Sequence, residues 1–366
     1  MLRIHRIFQS GNLRTEMPLF SKFFGDSEAK REFKPPVGWL LGQQLLAGIK
    51  WIALYSAYGE KLDFRDWMQG DVKTDFSDPK EGEEEFWFDY IADTGDGQKA
   101  TYCVAYLCHG DLFLPMNDRS PGPGQVSLSK ENGYCLPRGK FLFVGGDTAY
   151  HIADLATLAE LFQTPFNWAF DDRCDPNDSD HVRNIYAIPG NHDYYDFLDG
   201  FNRQFRTPLA PACLPPNTYK QHGTQLRLKG FKTSQTASFL AIQLPWNWWL
   251  WGLDSQNGKI DKRQLAFFRG LNEGGPPKKL IIATPEPSTV FGKWAVPKPS
   301  PNEETEKGEM IETFKKLNLT PSFLKHLNGT LAPDQCRLDM SGDIHHYDRY
   351  WGPHYDTDTS RENYAS

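Results

Sequence analysis

Apolar runs that end in polar or acidic residues recur along this chain and limit the folds that it can adopt. One run, residues 185–188, leads directly into the sequence PGNHD at residues 189–193. Apolar or alternating runs also precede four other polar sequences: DTGD at 93–96, GGDTAY at 145–150, TPEP at 284–287 and GDIHH at 342–346. Binding sites in layered α/β folds often form from loops at strand ends, so the pattern predicts strands that bring these polar residues together.

Stretches with a helical pattern lie between the predicted strands. Residues 101–107 follow the run that precedes DTGD, and residues 152–162 follow the run that precedes GGDTAY. Alternating strands and helices predict a layered α/β fold. Residues 1–80 are expected to form an N-terminal helical region, which the acidic sequence EGEEE separates from a domain at residues 81–366.

Composition and charge exclude some classes of function. The formal net charge is −7 and no basic run is present, which argues against a nucleic-acid partner. The six cysteines include no CxxC pair and are read as free thiols, which fits a cytoplasmic location. Residues 37–58 are apolar, but Gln43, Gln44 and Lys50 interrupt them, so amphipathic helices are expected and peripheral membrane contact remains an alternative. The oligomeric state is not predicted.

The polar sequences contain the residue types that phosphate-ester hydrolysis requires. The reaction needs a deprotonated water, neutralisation of the phosphoryl charge and a proton for the leaving oxygen. Two metal ions about 3.5–4 Å apart can supply the first two, and a nearby histidine can supply the third. Asn191 offers a neutral oxygen ligand, and His192 offers the proton.

The order of these sequences resembles the motifs of the calcineurin-like metallophosphoesterases. That superfamily is marked by an Asp-containing first motif, then GD, GNH[D/E], a lone His and GHxH. Here Asp93, GD at 146–147 and GNHD at 190–193 follow in that order, and GDIH at 342–345 lies at the place of GHxH. The resemblance covers about residues 86–350. It implies an α/β fold in which two mixed β-sheets form a sandwich flanked by helices, with the metals at strand ends.

Two of the motifs resemble a particular branch of that superfamily. The first motif is DxG, ending at Gly95, where most members have DxH, and the second extends to GDxxY, ending at Tyr150. This pairing is similar to purple acid phosphatases, in which the tyrosine replaces the missing histidine as a metal ligand. A tyrosinate ligand would favour a ferric ion. The alternative is that Tyr150 only packs at the start of a helix.

The resemblance also implies which residues bind the metals. One metal would be held by four residues: Asp93, Asp147, Tyr150 and His345. Asp147 would bridge to a second metal, which Asn191 and two further groups would hold.

The catalytic residues implied by the resemblance are His192 and Asp193. His192 would act near the leaving group, oriented by a carboxylate that is either Asp193 or another residue. The alternative for Asn191 and Asp193 is plain turn chemistry after Pro189 and Gly190.

Two departures from the superfamily pattern affect the second metal. Pro285 lies where the lone histidine of the fourth motif should be, and the adjacent Glu286 is a candidate substitute. Asp343 replaces the first histidine of GHxH and is a further candidate ligand, although His346 could turn inward instead. A carboxylate ligand favours Mg, Mn or Fe, and Zn is the less favoured alternative. The short tail after Tyr350 also raises the expectation of a truncated C-terminus.

These residues together predict a metal-dependent phosphoesterase. In this hypothesis a metal-bound hydroxide at a dinuclear site, with two divalent or mixed-valence ions, hydrolyses a small phosphorylated substrate. The alternative is a non-catalytic protein of the same fold that acts as a binding or scaffold module. Pro285 and the short C-terminus favour that alternative.

Overall fold

The structure, a computed structural model, describes most of the chain between residues 31 and 343. The described residues are 31–38, 43–58, 65, 68–115, 133–175, 181–206, 228–255, 262–272, 279–287, 289–290, 293–294 and 336–343. The helices are α1 (Gln43–Tyr58), α2 (Gln98–Cys108), α3 (Leu155–Leu158), α4 (Thr164–Arg173), α5 (Asn191–Tyr194), α6 (Asp199–Phe205) and α7 (Lys262–Asn272). A π-helical turn, Ala159–Gln163, joins α3 to α4, and a 3-10 turn spans Pro245–Asn247.

Most of the strands belong to two sheets. The strands are β1 (Val72–Lys73), β2 (Asp89–Ile91), β3 (Leu112–Pro115), β4 (Gly133–Leu136), β5 (Phe141–Val144), β6 (Arg183–Ala187), β7 (Phe231–Thr233), β8 (Leu240–Gln243), β9 (Trp248–Gly252), β10 (Lys279–Thr284), β11 (Thr289–Val290), β12 (Lys293–Trp294) and β13 (Cys336–Ser341). One sheet has the order β2-β5-β6-β7 and the other β1-β8-β9-β10-β13, while β3-β4 and β11-β12 form separate pairs.

The chain is α/β, as predicted, but the expectation of two mixed sheets is wrong for the four-stranded sheet. Its described strands are all parallel, because each connection between successive strands of this sheet contains a helix that returns the chain to the same end. The five-stranded sheet is mixed, since β8 runs antiparallel to β9 and its other pairs are parallel. The helices predicted at residues 101–107 and 152–162 are confirmed, although the second begins at Leu155.

The two sheets pack face to face, with helices against their outer faces. In β5, Phe141 and Phe143 join an apolar cluster shared with β8, β9, β10 and β13. The alternate residues, Leu142 and Val144, join a second cluster that contains helical residues. A Cβ added at Gly252 of β9 would lie 2.8 Å from Cζ of Phe143, so the sheets are in direct contact there. This packing fixes the relative positions of the strand ends.

The N-terminal part of the described chain contacts this core. In α1, Gly48 lies against the side chains of His151 and Ile152, whereas Trp51 and Tyr58 are exposed. β1, which lies within the predicted N-terminal region, pairs with β8 of the mixed sheet. No helix among the described residues is both long and apolar enough to cross a membrane.

A buried polar network ties α5 to the mixed sheet. Asp254, just after β9, is fully buried, and the Tyr194 hydroxyl donates to both of its carboxylate oxygens at 2.7 and 2.9 Å. The Ser238 hydroxyl donates to the same carboxylate. Arg65 Nη1 donates to the Asp254 carbonyl at 2.9 Å and lies 3.7 Å from the carboxylate. Because a buried charge is costly without such partners, the network holds α5 in one position.

We expect the substitution Tyr194→Phe to lower the free energy of unfolding by about 1–3 kcal/mol, because it removes a buried hydroxyl from the Asp254 carboxylate. Urea-induced unfolding measures the difference. The matched control is Tyr58→Phe, which makes the same chemical change at a side chain that is 58% exposed. Equal stability of the two variants would contradict a supporting role for the network.

Candidate metal centre

The predicted site residues lie just beyond the carboxyl ends of neighbouring strands. Asp93 follows β2, Asp147 follows β5 and Asn191 follows β6, and these three strands are parallel neighbours. Backbone hydrogen bonds continue past the strand ends, from Gly145 N to the Ile91 carbonyl at 2.7 Å and from Asp93 N to the Gly146 carbonyl at 3.1 Å. The loops therefore meet at one edge of the sheet.

The mixed sheet brings Asp343 to the same edge. Asp343 follows β13, and its backbone N–H donates to Oδ1 of Asp93 at 2.8 Å. A Cβ added at Gly342 would lie 2.9 Å from Oδ2 of Asp93, so this close approach requires glycine there. Residues that the sequence separates by 250 positions thus meet, as the motif order predicts.

Three of the predicted ligands have a left-handed backbone conformation. The φ angles are +54° at Asp93, +49° at Asp147 and +79° at Asp343. This conformation is uncommon for residues other than glycine, although Asp tolerates it better than most. The described chain has the same conformation at Phe197, Leu198, Trp246 and Asn247, so it does not by itself mark these loops as a site.

The Asp147 carboxylate is buried against the loop that follows β6. Its Oδ1 accepts the backbone N–H of His192 at 3.0 Å. A Cβ added at Gly190 would lie 2.6 Å from the backbone nitrogen of Asp147. The glycine of GNHD is therefore required for the loop after β6 to approach Asp147.

The electrostatic environment of Asp147 disfavours its charge. Burial raises the pKa of Asp147 well above its usual range, and the charges of Asp193, Asp93 and Asp343 raise it further, while the His192 N–H lowers it. Burial also raises the pKa of Asp193 to about 6. Carboxylates gathered in this way favour a bound cation, which restores the charged form.

Tyr150 lies beside Asp93, where the resemblance places a metal ligand. Its hydroxyl donates to Oδ1 of Asp93 at 3.3 Å, and its ring centroid is 4.5 Å from that of His192. Burial raises the pKa of the Tyr150 hydroxyl, and the charges of Asp147 and Asp93 add to the effect. The ring also packs in the core, so both interpretations of Tyr150 fit this position.

Asn191 presents an amide oxygen without a hydrogen-bond donor. Its Nδ2 donates to the Tyr195 hydroxyl at 3.3 Å. Its Oδ1 is buried and accepts no hydrogen bond within the described part of the chain. A cation could serve as its partner, although Gln204 Oε1 is likewise buried without a donor among the described residues.

His192 is oriented by a backbone carbonyl. Its Nδ1 lies 2.6 Å from the carbonyl oxygen of His151. Asp193 is fully buried, and its Oδ2 accepts the Gly190 N–H at 2.9 Å, which is the turn contact that the alternative interpretation expects. The catalytic role of Asp193 stays a prediction. Sequence reasoning missed the His151 carbonyl, since backbone groups carry no residue-type signal.

The remaining candidate ligands are His345, His346 and Glu286. His345 and His346 lie outside the described residues. Glu286 is half-buried just after β10, where its carbonyl accepts the Thr284 hydroxyl at 2.9 Å. Within the described ranges, no three His, Cys, Asp or Glu side chains are arranged to hold a metal.

The predicted ligands on the neighbouring loops carry carboxylate, phenol and amide oxygens. This set fits the hard cations Mg, Mn and Fe better than thiophilic metals. No protein-family model, curated protein or solved structure matches this chain. The family and the metal content therefore stay predictions.

We expect Gly190→Ala to lower the free energy of unfolding by about 1–3 kcal/mol, because the added methyl group overlaps the backbone of Asp147. Thermal unfolding monitored by circular dichroism measures the loss. Gly270→Ala is the control: a Cβ there has open space, and alanine in a helix is favoured over glycine by about 0.5–1 kcal/mol. A Gly190→Ala variant as stable as the control would contradict the close approach.

A second prediction concerns Asp196, in the turn between α5 and α6. Burial raises its pKa to about 8, although the Gly200 N–H donates to it at 2.7 Å. The unfolded pKa is about 3.9. The folded carboxyl thus keeps a proton that the unfolded chain releases, and its stabilising contribution is lost as the pH rises through about 8.

We therefore expect Asp196→Asn to become more stable relative to the unsubstituted protein as the pH rises from about 5 to about 9. Thermal unfolding of both proteins across this range measures the difference. A difference in melting temperature that does not change with pH would contradict the raised pKa.

Proposed function

We propose that this protein binds two metal ions beside Asp93, Asp147 and Asn191 and hydrolyses a phosphate ester there. The observation that carries the proposal is the buried Oδ1 of Asn191, which accepts no hydrogen bond among the described residues and belongs to the loop that Gly190 brings against Asp147. Oxygen donors from three successive parallel strands, in a partly buried setting, suit a hard cation.

The assignment of ligands follows from these contacts and from the motif resemblance. Asp93, Asp147 and Asn191 would hold the cations. Tyr150, Asp343 and His345 are the further proposed ligands. Fe, Mn or Mg is favoured because the donors are mostly oxygen atoms. When bound, such cations would activate a water molecule and offset the charge of the phosphoryl group.

His192 is proposed to protonate the leaving oxygen. The contact between Nδ1 and the His151 carbonyl favours the tautomer with a proton on Nδ1. Nε2 can then take up a second proton and pass it to the leaving group. The Tyr150 ring, 4.5 Å away, limits the rotation of the imidazole. The substrate class is a small phosphorylated compound, with no distinction between monoester and diester.

A second candidate is a binding or scaffold protein of the same architecture. Pro285 favours it, because proline offers no ligand at the place of the fourth motif. The scaffold would contain fewer than two metal ions per chain and would not turn over phosphate esters. The two candidates therefore differ in measured metal content as well as in activity.

The test is metal content by mass spectrometry, together with hydrolysis of an aryl phosphate by the protein and by Asp147→Asn. We expect about two metal ions per chain. We also expect the substitution to lower turnover by at least about 100-fold, since it removes a charge at the reacting centre.

The control for that test is Asp171→Asn, which makes the same change at an exposed carboxylate paired with Lys229. It should keep both the metal and the activity. A protein without bound metal and without turnover in added Mn or Fe would contradict the proposed phosphoesterase activity and favour the scaffold function.

A further inference from the structure

The amide of Asn191 can serve a cation only in one of its two orientations. An amide side chain has one oxygen, which can bind a cation, and one NH2 group, which repels it. The two orientations have nearly the same shape, so a neighbouring polar group must select between them. Here Nδ2 donates to the Tyr195 hydroxyl at 3.3 Å, and Oδ1 is left buried without a donor among the described residues.

Tyr195 is held so that its hydroxyl stays beside Asn191. The two residues are four positions apart around α5, which places their side chains on one face of the helical turn. The Tyr195 ring centroid lies 5.1 Å from that of His192 and 6.0 Å from that of Tyr55, both in edge-on contact. The ring is thus confined between a site residue and helix α1.

Helix α1 extends this support beyond the region of the motif resemblance. Tyr55 contacts the rings of Tyr194, Tyr195 and Phe197 at centroid distances of 6.0–6.1 Å. The segment after GNHD is therefore packed between the site and the N-terminal helix. Helix α1, which lies outside the motif resemblance, thus packs against Tyr195, the residue that contacts the proposed ligand Asn191.

We infer that Tyr195 is a positioning residue that directs the Asn191 amide oxygen toward the metal, and that Tyr55 holds Tyr195 in place. The inference rests on the proposed function, because it assigns a role at the same metal site. Partners that orient metal ligands commonly change metal affinity by about 10–100-fold when they are removed.

The test is the affinity of the metal-free protein for Mn2+, measured by isothermal titration calorimetry, which does not depend on turnover. We expect Tyr195→Phe to weaken Mn2+ binding by about 10-fold, because the ring remains but the amide loses its orienting acceptor. Tyr106→Phe is the control, since it removes a hydroxyl from a half-buried tyrosine on α2 that stacks with Arg173. It should leave the affinity unchanged.

A second pair of variants separates orientation from a general loss of structure. In the Asn191→Asp background either carboxylate oxygen can bind the cation, so Tyr195→Phe should have no further effect on Mn2+ affinity. A further 10-fold loss in that background would overturn the orienting role.

The variant Asn191→Ala distinguishes failure of this inference from failure of the proposed function. If Asn191→Ala weakens Mn2+ binding but Tyr195→Phe does not, the role of Tyr195 is wrong and the metal site stands. If Asn191→Ala also leaves Mn2+ binding unchanged, Asn191 is not a ligand and the inference is overturned, whereas an unsubstituted protein that binds no Mn2+ would contradict the proposed metal site.

Discussion

The crowding of carboxylates at the strand ends is the constraint on which this structure depends. Asp93, Asp147, Asp193 and Asp343 follow strands of both sheets. Burial raises the pKa of Asp147, and the charges of Asp193, Asp93 and Asp343 raise it further. The protein offsets part of this repulsion with backbone N–H groups. Asp343 N–H donates to Asp93, His192 N–H to Asp147 and Gly190 N–H to Asp193. These bonds hold the loops together, and a bound cation would restore the charged form of Asp147.

The surrounding fold supplies the rigidity that such a site needs. Two sheets in direct contact fix the strand ends, and the Asp254 network fixes the end of α5 through Tyr194. Glycines at 190 and 342 allow the loops to approach closely enough for Asp147 to accept the His192 N–H and for Asp93 to accept the Asp343 N–H. The site is therefore built mainly from local backbone geometry, and the apolar core determines where that geometry is placed.

Much of this arrangement could be predicted from sequence, because strand ends and motif order are one-dimensional signals. The alternation of strands with helices predicts the layers, and the motifs predict that Asp93, Asp147, Asn191 and Asp343 converge. The direction of each strand was harder to predict, since it depends on which strands become neighbours in a sheet. The His151 carbonyl and the Tyr195 hydroxyl were also missed, because their roles arise only from tertiary contacts.

The most direct test of the metal site is anomalous X-ray scattering from crystals of the full chain grown with Mn2+. We expect anomalous peaks within bonding distance of the Asp93 and Asp147 carboxylates, one of them also bonded to Oδ1 of Asn191. A map without a peak at this edge of the sheet, in which Oδ1 of Asn191 instead accepts a hydrogen bond from a protein group or water, would contradict the account.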